Sequence, residues 1–139
     1  MDTQKANVHL RSVVNGEKWE RSYAGEYRRT EAAHNIVYTD YTGNTPTKVA
    51  VEAAENALLL HRVGAITSDK LFDPCTDTVV KYDALSLRHG FLLHTEEYRV
   101  EETEETLCIF LSYVLTDGSG EEEIRGTQTF TITFAGGTI

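Results

Sequence analysis

The chain has 139 residues, 40% of them hydrophobic and 25% charged, which suits one globular domain large enough to bury its own core. A formal net charge of −9 argues against nucleic acid and anionic membranes as partners, because a phosphate surface requires a Lys/Arg surplus. The opening "MDTQKANVHL" lacks an apolar leader, no run reaches bilayer-spanning length, and Cys75 and Cys108 are too few for a disulfide framework, so the expectation is a cytoplasmic protein with two reduced thiols.

In chain order, "NVHLRSVV" alternates Val8 and Leu10 against His9 and Arg11, the period of a half-buried strand. Asn15-Gly16 follows, the strongest short signal for a hairpin, since a type I′ turn needs positive φ twice. "KWERSYAGEYR" then places Trp19, Tyr23, Gly25 and Tyr27 on one face, and "NIVYTDY" and "TKVAV" read as two further strands. The stretch "VAVEAAENALLLHRVGAI" is ambiguous. Its Ala, Leu and Glu content and Gly64 at the end suit a helix over 50–63; a strand, a turn at 53–56 and a second strand "ALLLHRVGA" is the competing reading.

Beyond it, "DTVVKYDALSL" and "GFLLHTEEYRV" read as strands, the second entered through a turn at His89-Gly90. "TLCIFLSYVLT" is apolar on both faces, as for a strand covered on both sides or one that lines an apolar interior and packs outside too. "DGSG", residues 117–120, closes a hairpin into "IRGTQTFTITF", where Ile124, Gln128, Phe130, Ile132 and Phe134 share one face and a threonine ladder the other. The acidic runs at 101–105 and 121–123 read as hairpin tips or solvated strand starts. Many short strands joined by tight turns predict an all-β antiparallel sandwich or barrel. The expected core includes Trp19, Tyr23, Leu60, Leu93, Ile109, Leu111, Phe130 and Ile132.

The order of these segments resembles the YwiB family of uncharacterised bacterial proteins with a calycin-like (lipocalin-like) β-barrel. The resemblance spans residues 8–138 and is carried by Gly25, Tyr27, Tyr38, Lys48-Val49, Arg62-x-Gly64-Ala65, Tyr82 and the terminal Thr-Ile-Thr-Phe strand. It implies one calycin-like antiparallel β-barrel over 1–139, with eight to ten strands, and makes "ALLLHRVGA" a strand. It also aligns an acidic residue with Asp40 and a glycine with Cys75.

On that strand Arg62 shares a face with Leu58, Leu60 and Gly64, and Gly64 would leave room beside it. A guanidinium among leucines either snorkels to solvent, pairs inside the barrel, or anchors a carboxylate through its planar fork. The candidate ligand-binding set is Arg62, Tyr27, Tyr38, Lys48, Tyr82 and Tyr113. It implies a small apolar or amphipathic acidic ligand inside the barrel. The alternative is a filled barrel that acts as a homodimer or a protein-interaction module. No nucleophile–base pair, phosphate-cradling loop or metal-spaced histidine set is present, so no catalytic residue, metal or cofactor is expected.

Overall fold

The computed structural model describes residues 3–83, 91–117 and 123–134, with 81–83 as backbone alone. These residues form ten strands and no helix: β1 (Gln4–Val14), β2 (Glu17–Arg29), β3 (Ala33–Asp40), β4 (Thr47–Ala54), β5 (Leu58–Val63), β6 (Thr67–Phe72), β7 (Thr78–Asp83), β8 (Phe91–Glu102), β9 (Thr106–Thr116) and β10 (Glu123–Phe134). Each strand pairs antiparallel with its neighbours in sequence, and β10 returns to β1, closing an up-and-down barrel. Closure satisfies the backbone groups that an open sheet edge would leave bare.

The first turn follows from its residues. Asn15 and Gly16 have φ of 49° and 85°, the left-handed pair of a type I′ turn. Asn15 also accepts a hydrogen bond from the Arg125 amide at 3.1 Å, tying the turn to β10. Residues 50–63 are strands, as the resemblance implied. Val49, Val51 and Ala53 on β4 and Leu58 and Leu60 on β5 turn into the core, and β4 and β5 pair from Lys48↔Val63 to Ala53↔Leu58. Pairing on both flanks, with β3 and β6, outweighs a local helix preference of tenths of a kcal/mol per residue. The strand β6 has no counterpart among the segments read from periodicity. The His89-Gly90 turn and most of "DGSG" lie outside the described residues.

The largest interior side chains, among them Val8, Ile36, Leu58, Phe72, Leu107, Ile109, Phe130 and Ile132, are under 2% exposed. A side chain with no water-accessible surface borders no space that a water molecule could enter. These side chains therefore seal the middle of the barrel, at the close packing usual for interiors. Leu60, Leu93, Ile109, Leu111, Phe130 and Ile132 are buried as expected and Tyr23 is half-buried, but Trp19 is 41% exposed. The reason is pairing. Trp19 lies opposite Ser12 and has the inward parity, but β2 meets β3 only from Gly25 to Arg29. Residues 17–24 have β1 as their sole partner strand and overhang one end of the barrel, so nothing opposite covers the indole.

Candidate functional site

The overhang marks one end, here called the mouth, at which β1, β3, β5, β7 and β9 finish and β2, β4, β6, β8 and β10 begin. Just below it the core is apolar: Leu10, Tyr38, Leu60, Phe72, Leu111 and Phe130 are all buried. One inward position nearer the mouth, the same strands carry Ser12, Asp40, Arg62, Lys70, Tyr113 and Gln128. On these strands the interior changes from apolar to polar, while on β7, β8 and β9 the buried Val80, Leu93 and Leu115 carry the apolar core on towards the mouth. Phe72 on β6 and Tyr113 on β9, three strands apart around the barrel, meet edge to face with ring centroids 5.4 Å apart.

Arg62 turns inward at the rim. Its Nη2 stands 3.9 Å from Asp40 Oδ2, with about a third of its side chain exposed. Asp40 is held by Thr42, whose amide and hydroxyl donate to Oδ1 at 2.9 and 2.6 Å. Burial alone would raise the Asp40 pKa; the Thr42 hydrogen bonds and the Arg62 charge outweigh it and keep the carboxyl below its ordinary value. Tyr23 and Tyr38 stack at 4.5 Å beneath the pair. Both phenols are raised, first by burial; Asp40 adds to the rise and Arg62 opposes it. Lys70 is partly buried, and its pKa falls through desolvation and then through the like charge of Arg62. Above them, Arg21 shares the inward parity of Tyr23, with its guanidinium 5.9 Å from the Trp19 ring centre.

Three buried polar atoms face this upper interior with no hydrogen-bond partner among the described residues: Ser12 Oγ, Thr95 Oγ1 and Gln128 Oε1. Ser12 and Gln128 are directly paired across β1 and β10, and Thr95 lies opposite Tyr113. Such orphans normally cost about 1–3 kcal/mol each; Thr95 lies beneath the buried Leu93 of its own strand, apart from the Ser12–Gln128 pair.

Of the residues read from sequence, Arg62, Tyr38 and Tyr113 gather here. Tyr27 does not. It lies at the opposite end, where its hydroxyl shares a 2.7 Å hydrogen bond with His34 Nδ1. Lys48 points outward, because its neighbour Val49 takes the inward position. The side chain of Tyr82 lies outside the described residues. Gly64 makes room for β4 rather than for a ligand, since a Cβ there would stand 2.6 Å from Thr47 Oγ1. Lys70, Gln128, Ser12 and Thr95 were not singled out from sequence.

Near Tyr27, the far end of the barrel holds a cleft of about 340 Å³ lined by Arg29, His34, Glu55 and Glu102. Its one cation is already neutralised, because Arg29 Nη1 donates to both Glu102 oxygens at 2.8 and 2.9 Å. The cleft therefore offers an acid less than the mouth does. No cluster of metal-ligating side chains is present among the described residues, and the free thiols are an exposed Cys75 and a half-buried Cys108.

Fold and site together define a closed ten-stranded meander barrel with a sealed core and a polar, cation-bearing mouth. The chain belongs to the family described as a domain of unknown function (DUF1934), whose model matches residues 6–128. Its fold is that of the ywiB protein from Bacillus subtilis. The crystal structure of that protein matches with a TM-score of 0.83 at 20% identity, over 96% of this chain and 93% of that one. No curated protein gives a significant sequence match. Among the described residues no helix is long and apolar enough to cross a membrane.

Proposed function

We propose that this protein binds a small acidic molecule at the mouth of the barrel, its carboxylate held between Arg62 and Lys70. The observation that carries the reading is the charge of the polar layer. Two inward cations and one carboxylate leave a net charge of about +1 in a chain whose formal charge is −9. A monocarboxylate fits that balance, and a guanidinium matches carboxylate geometry through two parallel hydrogen bonds. The sealed core favours a compact ligand over one with a long apolar tail. A cytoplasmic location, with neither nucleic acid nor membrane as partner, fits the free thiols and the acidic surface.

Native mass spectrometry of protein purified from its source cells tests this, followed by calorimetric titration of the copurifying acid. Arg62→Met and Lys70→Met should fold and weaken binding at least about tenfold each, the cost of removing one partner of a desolvated charge pair. Wild-type affinity in both variants would end the reading.

The exposed aliphatic residues Leu71, Val79 and Leu92 on β6, β7 and β8 favour a second reading, a filled barrel that dimerises through its outer wall. Light scattering decides it. A dimer that dissociates on Val79→Glu supports this reading, and a monomer at all concentrations removes it.

A further inference from the structure

We infer that the free edge of β2 pairs antiparallel with the same edge of a second copy of this chain, about a two-fold axis at Trp19, so that two barrels share one continuous sheet. This surface is separate from the acid site at the mouth and from the outer wall of Leu71, Val79 and Leu92. Closure of the barrel leaves the overhang bare. Residues 17–24 have β1 on one side, and on the other no strand and no backbone hydrogen bond among the described residues. The amide of Asn15 donates to the Arg125 carbonyl on β10 at 2.9 Å, so the odd residues of β1 face β10 and the even ones face β2. Through the register Val14↔Glu17 and Ser12↔Trp19, the odd residues of β2 bond to β1. Lys18, Glu20 and Ser22 therefore turn their amides and carbonyls to the open side, a template for one more strand.

The side chains of this edge are complementary to themselves. With the axis at Trp19, Glu17 lies opposite the partner's Arg21 on the inward face, and Lys18 lies opposite the partner's Glu20 on the outward face; the two-fold repeats both pairs. Glu17, Lys18 and Arg21 make no ion pair among the described residues, and Glu20, which Arg11 and His9 approach at 3.6 and 3.9 Å, is still half exposed. Lys18 and the partner's Glu20 exchange main-chain hydrogen bonds, and the two Trp19 residues form the more closely spaced pair between them. Trp19, 41% exposed with nothing opposite, gains a facing indole. The length also fits. The partner's Asn15-Gly16 turn falls beside Ser22 and Tyr23, short of Gly25, where β3 takes up the pairing. The far end of the barrel shows the contrast. There β8 outruns β7, which it meets only from Phe91 to Leu93, but residues 94–102 carry four glutamates against one arginine and a bulge at Thr95/Glu97, both features that keep an edge from pairing.

The test is sedimentation equilibrium of the full chain from micromolar to near-millimolar concentration, where a short, largely polar contact gives a reversible monomer–dimer equilibrium. Arg21→Glu, which sets carboxylates opposite each other, should weaken the dimer about tenfold or more, and so should Glu17→Arg. The two substitutions together restore opposite charges across the axis and should recover wild-type association. Lys18→Pro removes an amide that β1 does not use, so it should fold, keep the melting temperature of the dilute wild type and fail to dimerise. The single tryptophan of the chain reports the contact directly: its emission should shift to the blue as the wild type associates and stay constant in Lys18→Pro. A monomer at every concentration would overturn this pairing. So would a double charge variant that associates no better than either single one. A dimer that survives Lys18→Pro and separates on Val79→Glu would overturn it as well, and would place the contact on the outer wall.

Discussion

Substituting Gly126 with alanine tests how Tyr113 packs in the mouth layer. A Cβ added at Gly126 would stand 2.5 Å from Tyr113 Oη, 2.6 Å from Cζ and 3.1 Å from Cε1. Carbon contacts settle at roughly 3.5–4.0 Å, so about an ångström of overlap must be relieved. The backbone cannot yield easily, because Gly126 is paired with Val14 on one side and Tyr113 on the other. The ring cannot withdraw easily either. Tyr113 is 6% exposed and packs edge-on against Phe72, itself 1% exposed. Overpacking of this kind costs roughly 1–3 kcal/mol, and this site belongs in the upper half of that range. Alanine recovers about 0.4–1 kcal/mol by restricting the unfolded chain. The net expectation is a loss of about 1–2 kcal/mol, read as a lower urea midpoint at unchanged slope. The cause is checked by a double-mutant cycle. Tyr113→Leu alone should cost about 2–4 kcal/mol through lost packing, and adding Gly126→Ala to it should cost nothing or recover stability. A change within about 0.5 kcal/mol for Gly126→Ala alone, or additive losses in the cycle, would show that Tyr113 does not lie over Gly126.

Other expectations concern the core and the charges. Phe130→Ala should cost about 3–5 kcal/mol, whereas Trp19→Ala, at an overhang with no facing strand, should cost less than about 1 kcal/mol; comparable losses would refute the assigned pairing. Lys70→Met should match or exceed the wild type by about 1 kcal/mol at neutral pH, because it removes a desolvated cation beside Arg62. The folded-state pKa of Lys70 is depressed, so the unfolded chain holds more protons in the alkaline range. Wild-type stability should therefore gain from this group as pH rises from the folded value towards about 10.5, a gain that Lys70→Met abolishes in denaturant titrations across that range. His34 is also depressed, through burial first, so its stabilisation is whole above about pH 6.5 and is lost as pH falls through its lower folded value. His34→Gln should flatten the acid side of the stability profile in that window, and an unchanged slope would count against a buried neutral imidazole.

Much of the barrel was present in the one-dimensional pattern, because burial on one face of a strand imposes period two. The alternation of β1 and β10, and Asn15-Gly16 at a turn that needs positive φ twice, are local consequences of side-chain type. The inward parity of Arg62 was equally visible from Leu58 and Leu60. What a single chain cannot express is height within the barrel. Parity told that Tyr27, Tyr38 and Tyr113 point inward; only the register of ten tilted strands put Tyr113 in the mouth layer, Tyr38 just beneath it and Tyr27 at the far end. Propensity misled over 50–63, where helix-favouring residues are held extended by partners on both flanks. The strand β6 escaped notice for a related reason. Its inward positions are Ser68, Lys70 and Phe72, so the polar layer itself erased the apolar alternation by which a strand is recognised. The site and the silence of its strand share one physical cause: inward side chains chosen for polarity rather than burial are invisible to a pattern that registers burial alone, until closure of the sheet brings them face to face.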